Sequence, residues 1–232
     1  MEKVYFVSGI DTGIGKTVAT GMIARFLLGR GVRAATVKMV QTGCRGFSED
    51  LELHRKLMGI PPLPEDLAGL TCPAIFEFPA SPHFAAAREG RAVEPERIAE
   101  AVRLVAPKYD VTLVEGAGGL AVPLTENLLT VDFAAGRNWP VLLVASGRLG
   151  SLNHILLSLE ALHARKMRLA GAVWNYCADA DCEIDADSLK MTEKYLARYG
   201  FAAPVVRLGR VDVAHPEMTE ADFSPLFPEV MP

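Results

Sequence analysis

The stretch that most constrains this chain is Val4-Tyr5-Phe6-Val7-Ser8 running into Gly9-Ile10-Asp11-Thr12-Gly13-Ile14-Gly15-Lys16-Thr17. A short β-rich apolar run, a glycine-rich turn and a helical period opening at Lys16-Thr17 form the strand, loop and helix context of a phosphate-binding loop. Glycines at 13 and 15 allow backbone N–H groups to converge on one concavity, and the helix N-terminus adds partial positive charge. Lys16 can reach terminal phosphates, and Thr17 offers a hydroxyl to a magnesium ion. The strict pattern of Gly, four free residues and Gly-Lys-Thr puts its first Gly at position 10, where this chain has Ile10, so the loop is a variant. The competing account is a helix-capping turn that happens to contain Gly-Lys-Thr.

Apolar β-rich runs recur at Val4 to Ser8, Ala34 to Val37, Val111 to Val114, Val141 to Ala145, Leu169 to Trp174 and Pro204 to Val206. Between them helical spacing predicts helices at Thr17 to Leu28, Leu51 to Met58, Pro95 to Val105, Ser151 to Ala164 and Ile184 to Tyr199. This alternation predicts an α/β fold, a doubly wound, mostly parallel sheet with helices on both faces. Ile60 to Pro82 is rich in Pro, lacks either period and reads as an ordered loop excursion; the tail after Arg210 gives no clear pattern. With 232 residues, one P-loop α/β domain spanning 1–232 is the simplest account.

A formal net charge of −4 argues against nucleic acid as a partner. The cysteines Cys44, Cys72, Cys177 and Cys182 form no Cys-x-x-Cys pair and fit reduced thiols. The start resembles no signal peptide, and no apolar run approaches a membrane span, so a cytoplasmic location is expected.

Three further clusters carry chemistry. Val111 to Val114 delivers Glu115 and the glycines 116, 118 and 119 to the C-terminal edge of the sheet, where ligands sit. Glu115 there can bind magnesium or cap the following turn. Lys38 ends the second strand at the same edge, followed by Thr42. It reads as a mobile cation for an anionic substrate and a transferring phosphoryl group, or as a solvated surface lysine. Asp50 opens a helix as its N-cap or as a second magnesium ligand. Arg148-Leu149-Gly150-Ser151-Leu152-Asn153-His154 follows a strand and opens a helix whose free N–H groups suit a carboxylate, with Ser151 as N-cap the competing account. His154 reads as a packing histidine, and Cys177 and Cys182 as structural.

Taken in order, the loop Gly9 to Thr17, Lys38 to Gly43, Ser81-Pro82-His83, Glu115 to Gly119 and Leu149 to His154 closely resemble the dethiobiotin synthetase family. The resemblance covers nearly all of the first 175 residues. It implies ATP- and magnesium-dependent closure of 7,8-diaminononanoate with carbon dioxide to dethiobiotin, ADP and phosphate, through a carbamate and its phosphorylated form. Carried over by position, Gly13, Ile14, Gly15, Lys16, Thr17 and Val18 hold the phosphates. Thr17, Asp50 and Glu115 surround magnesium, and Gly116, Ala117 and Gly118 line the nucleotide. Lys38, Lys16 and Thr12 are the catalytic candidates, and Thr42 and Ser81 contact the diamine. Gly150, Ser151, Leu152 and Asn153 receive its distal carboxylate across a homodimer interface, and Asn175 and Gly209 adjoin the base. Two positions depart from the family pattern: Met39 stands where relatives commonly have proline, and Leu208-Gly209-Arg210-Val211-Asp212 lacks the proline of a Leu-Gly-x-x-Pro segment. A ParA-like ATPase switch is the non-enzyme alternative; its loop usually carries an early lysine, where this chain has Ile10-Asp11-Thr12.

Overall fold

The structure is a computed structural model that describes residues 3–230. Six parallel strands form its main sheet: β1 (Lys3–Gly9), β2 (Ala34–Lys38), β5 (Val111–Gly119), β8 (Val141–Ala145), β9 (Leu169–Asn175) and β10 (Val205–Leu208). Their order is β10-β9-β8-β1-β5-β2. The short strands β3 (Gln41–Thr42) and β4 (Ile75–Phe76) pair in parallel beside it, and β6 (Pro123–Thr125) pairs antiparallel with β7 (Leu128–Leu129). The helices are α1 (Lys16–Gly29), α2 (Glu49–Met58), α3 (Pro64–Leu67), α4 (Pro82–Arg88), α5 (Pro95–Val105), α6 (Thr130–Ala135), α7 (Ser151–Ala164) and α8 (Cys182–Arg198).

The central strands are apolar on both faces because both are covered: β2 and β8 are buried at every residue, as is β5 from Val111 to Gly116. From β1 the chain crosses through α1 toward the β2 edge, whereas from β8 it crosses through α7 and α8 toward the β10 edge. Right-handed crossovers in opposite directions put their helices on opposite faces, which makes the sheet doubly wound as expected. The reversal lies between β1 and β8, and the loops after the strands' C-terminal ends face the resulting crevice.

Three local expectations are corrected. The segment from Ile60 to Pro82 contains α3 and β4, and β4 has a partner because Gln41 N–H donates to the Ala74 carbonyl at 2.9 Å. Asp50 is not the N-cap of α2. Ser48 takes that place, accepting from Leu51 N–H at 3.2 Å while its own hydroxyl donates to Gln41 Oε1 at 2.7 Å. Ser151 is likewise inside α7, whose N-cap is Gly150 at φ +91°, a left-handed conformation that suits glycine. The tail after Arg210 returns to the core, where Phe223, Leu226 and Phe227 are buried.

Candidate active site

The β1–α1 loop forms the cradle that its composition predicts. Gly13 and Gly15 have φ of +71° and +87°, and Gly15 is the N-cap of α1, which has no side-chain cap and no acidic residue in its first turn. The N-terminal N–H groups of a four-turn helix are thus left for an anion. Lys16 arches back over the loop and donates to the Asp11 carbonyl at 3.0 Å. Burial, only partly offset by Glu115, Asp50 and Asp11, pulls its ammonium down to about 8, with Lys38 adding repulsion.

Strand register assembles the rest. Lys38 and Glu115 are direct partners on β2 and β5, so both side chains leave the sheet at one level. The Lys38 ammonium lies 2.8 Å from Glu115 Oε1 and also contacts Asp50. Thr17 Oγ1 donates to Asp50 Oδ1 at 3.0 Å and reaches Glu115 Oε1 at 3.2 Å. Lys38 is therefore no solvated surface residue; it is 5 % exposed. Burial alone lowers its affinity for a proton, but Glu115 and Asp50 outweigh that and hold it above the ordinary lysine range. Glu115 is fully buried; that burial pushes its carboxyl up, yet Lys38 and His54 prevail and hold it well below the usual carboxylate range. Both groups are thus charged at neutral pH, and the capping alternative for Glu115 falls away.

These residues line one cleft of about 450 Å³, together with Thr12, Gly13, Val18, Thr42, Ala117 and Gly118. Among the described residues no cluster of three or more His, Cys, Asp or Glu forms a self-sufficient metal cage. What converges is one hydroxyl and two carboxylates beside a phosphate cradle, a hard-oxygen set that suits a magnesium ion completed by water and phosphate oxygens.

Other expected residues lie apart from this cleft. Asn175, at the end of β9, donates its side-chain amide to the Ile14 carbonyl at 2.9 Å and, with Gly209, lines a separate recess of about 280 Å³. The same recess is lined by Cys177 and Cys182; Cys182 is exposed rather than structural. Ser81 caps α4 in position without a side-chain bond and does not line the cleft. At the start of α7 the Ser151 hydroxyl is buried with no partner, while Leu149 is exposed. His154 does not pack internally; it is exposed, with its ring 3.5 Å from Asp11, which also meets Arg148.

Reading by motif missed His54, Thr36 and Arg55. His54 is wholly buried and touches Glu115 Oε2 at 2.9 Å. The available signal was its place four residues after Asp50, which puts both on one face of α2.

The AAA domain family, AAA_26, matches residues 3–216. The ATP-dependent dethiobiotin synthetase BioD 2 of Pasteurella multocida is 45% identical over 199 residues, covering 86% of this chain and 93% of that protein. The ATP-dependent dethiobiotin synthetase BioD of Chlorobaculum tepidum is 48% identical over 207 residues, covering 89% of this chain and 87% of its own length. Among solved structures, a ParA family ATPase from Chlorobium tepidum superposes with a TM-score of 0.53 at 14% identity, covering 91% of this chain and 86% of that one. At that identity the likeness is one of fold.

Proposed function

The chain belongs to the ATP-dependent dethiobiotin synthetase family, and on that premise we propose how its residues divide the work of the reaction. The activity is ATP-dependent ring closure in biotin biosynthesis, with 7,8-diaminononanoate and carbon dioxide as substrates. The observation that carries the residue assignments is the buried contact of Lys38 with both Glu115 and Asp50, which in turn reach the P-loop hydroxyl of Thr17.

The N–H groups from Gly13 to Val18 and the Lys16 ammonium hold the β- and γ-phosphates. Thr17, Asp50 and Glu115 hold magnesium, which when bound neutralises charge on the transferring phosphoryl oxygens. Lys38, held against Glu115 and Asp50 at the edge of the cleft, serves as a fixed cation. It stabilises the substrate carbamate and the phosphoryl group arriving on it, and Thr12, which lines the same cleft, contributes beside it. The carbamate oxygen attacks the γ-phosphorus and ADP departs; the second amine then attacks the carbamoyl carbon and expels phosphate. Thr42, which lines the cleft, orients the diamine; Ser81, at the N-cap of α4 and outside the cleft lining, is assigned to the diamine by family resemblance alone. Gly116, Ala117 and Gly118 bound the nucleotide, while Asn175 and Gly209 adjoin its base.

The opening of α7, from Gly150 through Ser151 and Leu152 to Asn153, takes the distal carboxylate of the diamine in a homodimer. An N-terminus without a side-chain cap and the unpartnered Ser151 hydroxyl support this. The continuous core from Tyr5 to Phe227 supports one domain, and four free cysteines accord with a cytoplasmic setting. Among the described residues no helix is long and apolar enough to cross a membrane.

The test is ADP release from protein mixed with magnesium, ATP, bicarbonate and 7,8-diaminononanoate. Release should require both co-substrates; turnover indifferent to the diamine would overturn this reading.

A further inference from the structure

We infer that His54 is a positioning residue for the metal-facing carboxylate of Glu115, and that Thr36 and Arg55 hold His54 in its turn. The inference rests on the proposed magnesium site and adds residues that touch neither metal nor substrate.

Glu115 divides its two oxygens between two sides. Oε1 faces the cleft, where Lys38 lies at 2.8 Å and Thr17 Oγ1 at 3.2 Å. Oε2 faces the interior and meets His54 Nε2 at 2.9 Å. A ring nitrogen against a carboxylate carries the proton, so Nε2–H donates. On the other side Nδ1 meets the Thr36 hydroxyl at 3.0 Å, and that same hydroxyl accepts from Arg55 Nη1 at 2.6 Å. Arg55 is anchored by a two-bond pair with Asp66, Nε to Oδ2 at 2.8 Å and Nη2 to Oδ1 at 2.7 Å. A line of directed hydrogen bonds therefore runs from the Pro-rich excursion to the edge of the cleft.

His54 reaches the interior because α2 packs directly against the Gly21 backbone of α1. A Cβ on Gly21 of α1 would stand 2.9 Å from Leu57 Cβ and 3.4 Å from His54 Cα, so only glycine permits the approach. With Glu115 fully buried, loss of His54 leaves Oε2 without a partner. The terminal carboxylate torsion is soft, so the group can relieve that loss by turning, which changes the oxygen it presents to a metal. Outer partners of metal ligands act in this way, and removing one weakens metal affinity by roughly 10- to 100-fold.

The test is titration of Mn²⁺ into the ADP complex by calorimetry, alongside ADP affinity in EDTA and thermal melting. His54→Ala should weaken Mn²⁺ binding at least about tenfold while metal-free ADP affinity stays within about twofold. His54→Gln, whose side-chain amide can donate to Oε2, should recover most of the loss. Wild-type metal affinity in the alanine variant, or a glutamine variant as weak as alanine, would overturn the inference. Should His54→Ala fail to fold, Thr36→Val carries the test: a several-fold loss supports the relay and none refutes it. If metal binds the wild-type complex no better than free ADP, the magnesium reading itself fails, an outcome distinct from the others.

Discussion

Lys38 and Glu115 are register partners on adjacent parallel strands, and their side chains meet at 2.8 Å above the C-terminal edge of the sheet. Parallel pairing puts both Cα atoms at one height, and the Thr17 and Asp50 side chains then close the site from α1 and α2. Replacing the cation by Lys38→Met should therefore do two things. Turnover should fall by about 10²-fold or more because a preorganised charge at the transferring group is lost, while ADP still binds. Stability should fall by about 3–5 kcal/mol, since two carboxylates are left without their buried partner. Near-normal turnover in a steady-state assay would remove Lys38 from the chemistry.

Asp66 makes a pH prediction. Burial raises its carboxyl, but the Arg55 pair and the Thr71 hydroxyl outweigh that and hold it below the usual aspartate range. A depressed folded value means that its stabilisation is complete above the ordinary aspartate value and is lost as pH falls through the folded one. Urea unfolding followed from about pH 6 down to about pH 2.5 should show wild type losing more stability than Asp66→Asn below about pH 4, the ordinary aspartate value. Curves that stay parallel over that range would count against the pair.

The recess beside Asn175 and Gly209 gives a labelling test of the base site. Cys182 is exposed and Cys177 half-buried there, whereas Cys44 and Cys72 are buried. Burial also pushes the Cys72 thiol up to about 11, leaving little thiolate at neutral pH. Brief alkylation read by mass spectrometry should mark Cys182 first, then Cys177, with ADP slowing Cys177 in particular. Nucleotide-independent labelling of Cys177 would argue that the base lies elsewhere.

The tail after Arg210 should matter to stability and not to chemistry. Phe227 is fully buried and meets Tyr5 edge-on with ring centroids 5.0 Å apart, while Phe223 meets Phe26 at 5.6 Å. Phe227→Ala should cost about 3–5 kcal/mol in denaturant unfolding through the cavity it leaves. At a temperature where the variant is folded, its turnover number should match wild type.

Much of this architecture is written locally in the chain. The six main strands and five long helices show as apolar periods, and the cradle at Gly9 to Thr17 shows because left-handed turns need glycine and a phosphate site needs a helix start. The two-residue strands β3 and β4 escaped because so short a segment has no period; each exists only because the other pairs with it. The N-cap of α2 went to Ser48, not Asp50, through a hydrogen bond to Gln41, a residue outside the helix. That choice leaves Asp50 free to face Thr17 and Lys38.

What the sequence determined by itself is the fold class, the phosphate loop and the family, since each rests on residue types at short, fixed spacings. Whether Lys38 was a surface lysine or a buried cation was decided only by tertiary structure, because a lysine ending a strand reads the same in either case. Pairing of β2 with β5 places an acidic partner beside it, and the low dielectric around them makes that partnership strong. The same holds for His54, 61 residues from Glu115 in the chain and 2.9 Å away in the fold. Local spacing puts His54 on the Asp50 face of α2 but does not pair it with Glu115, because that contact comes from strand register and from the close approach that Gly21 allows between two helices.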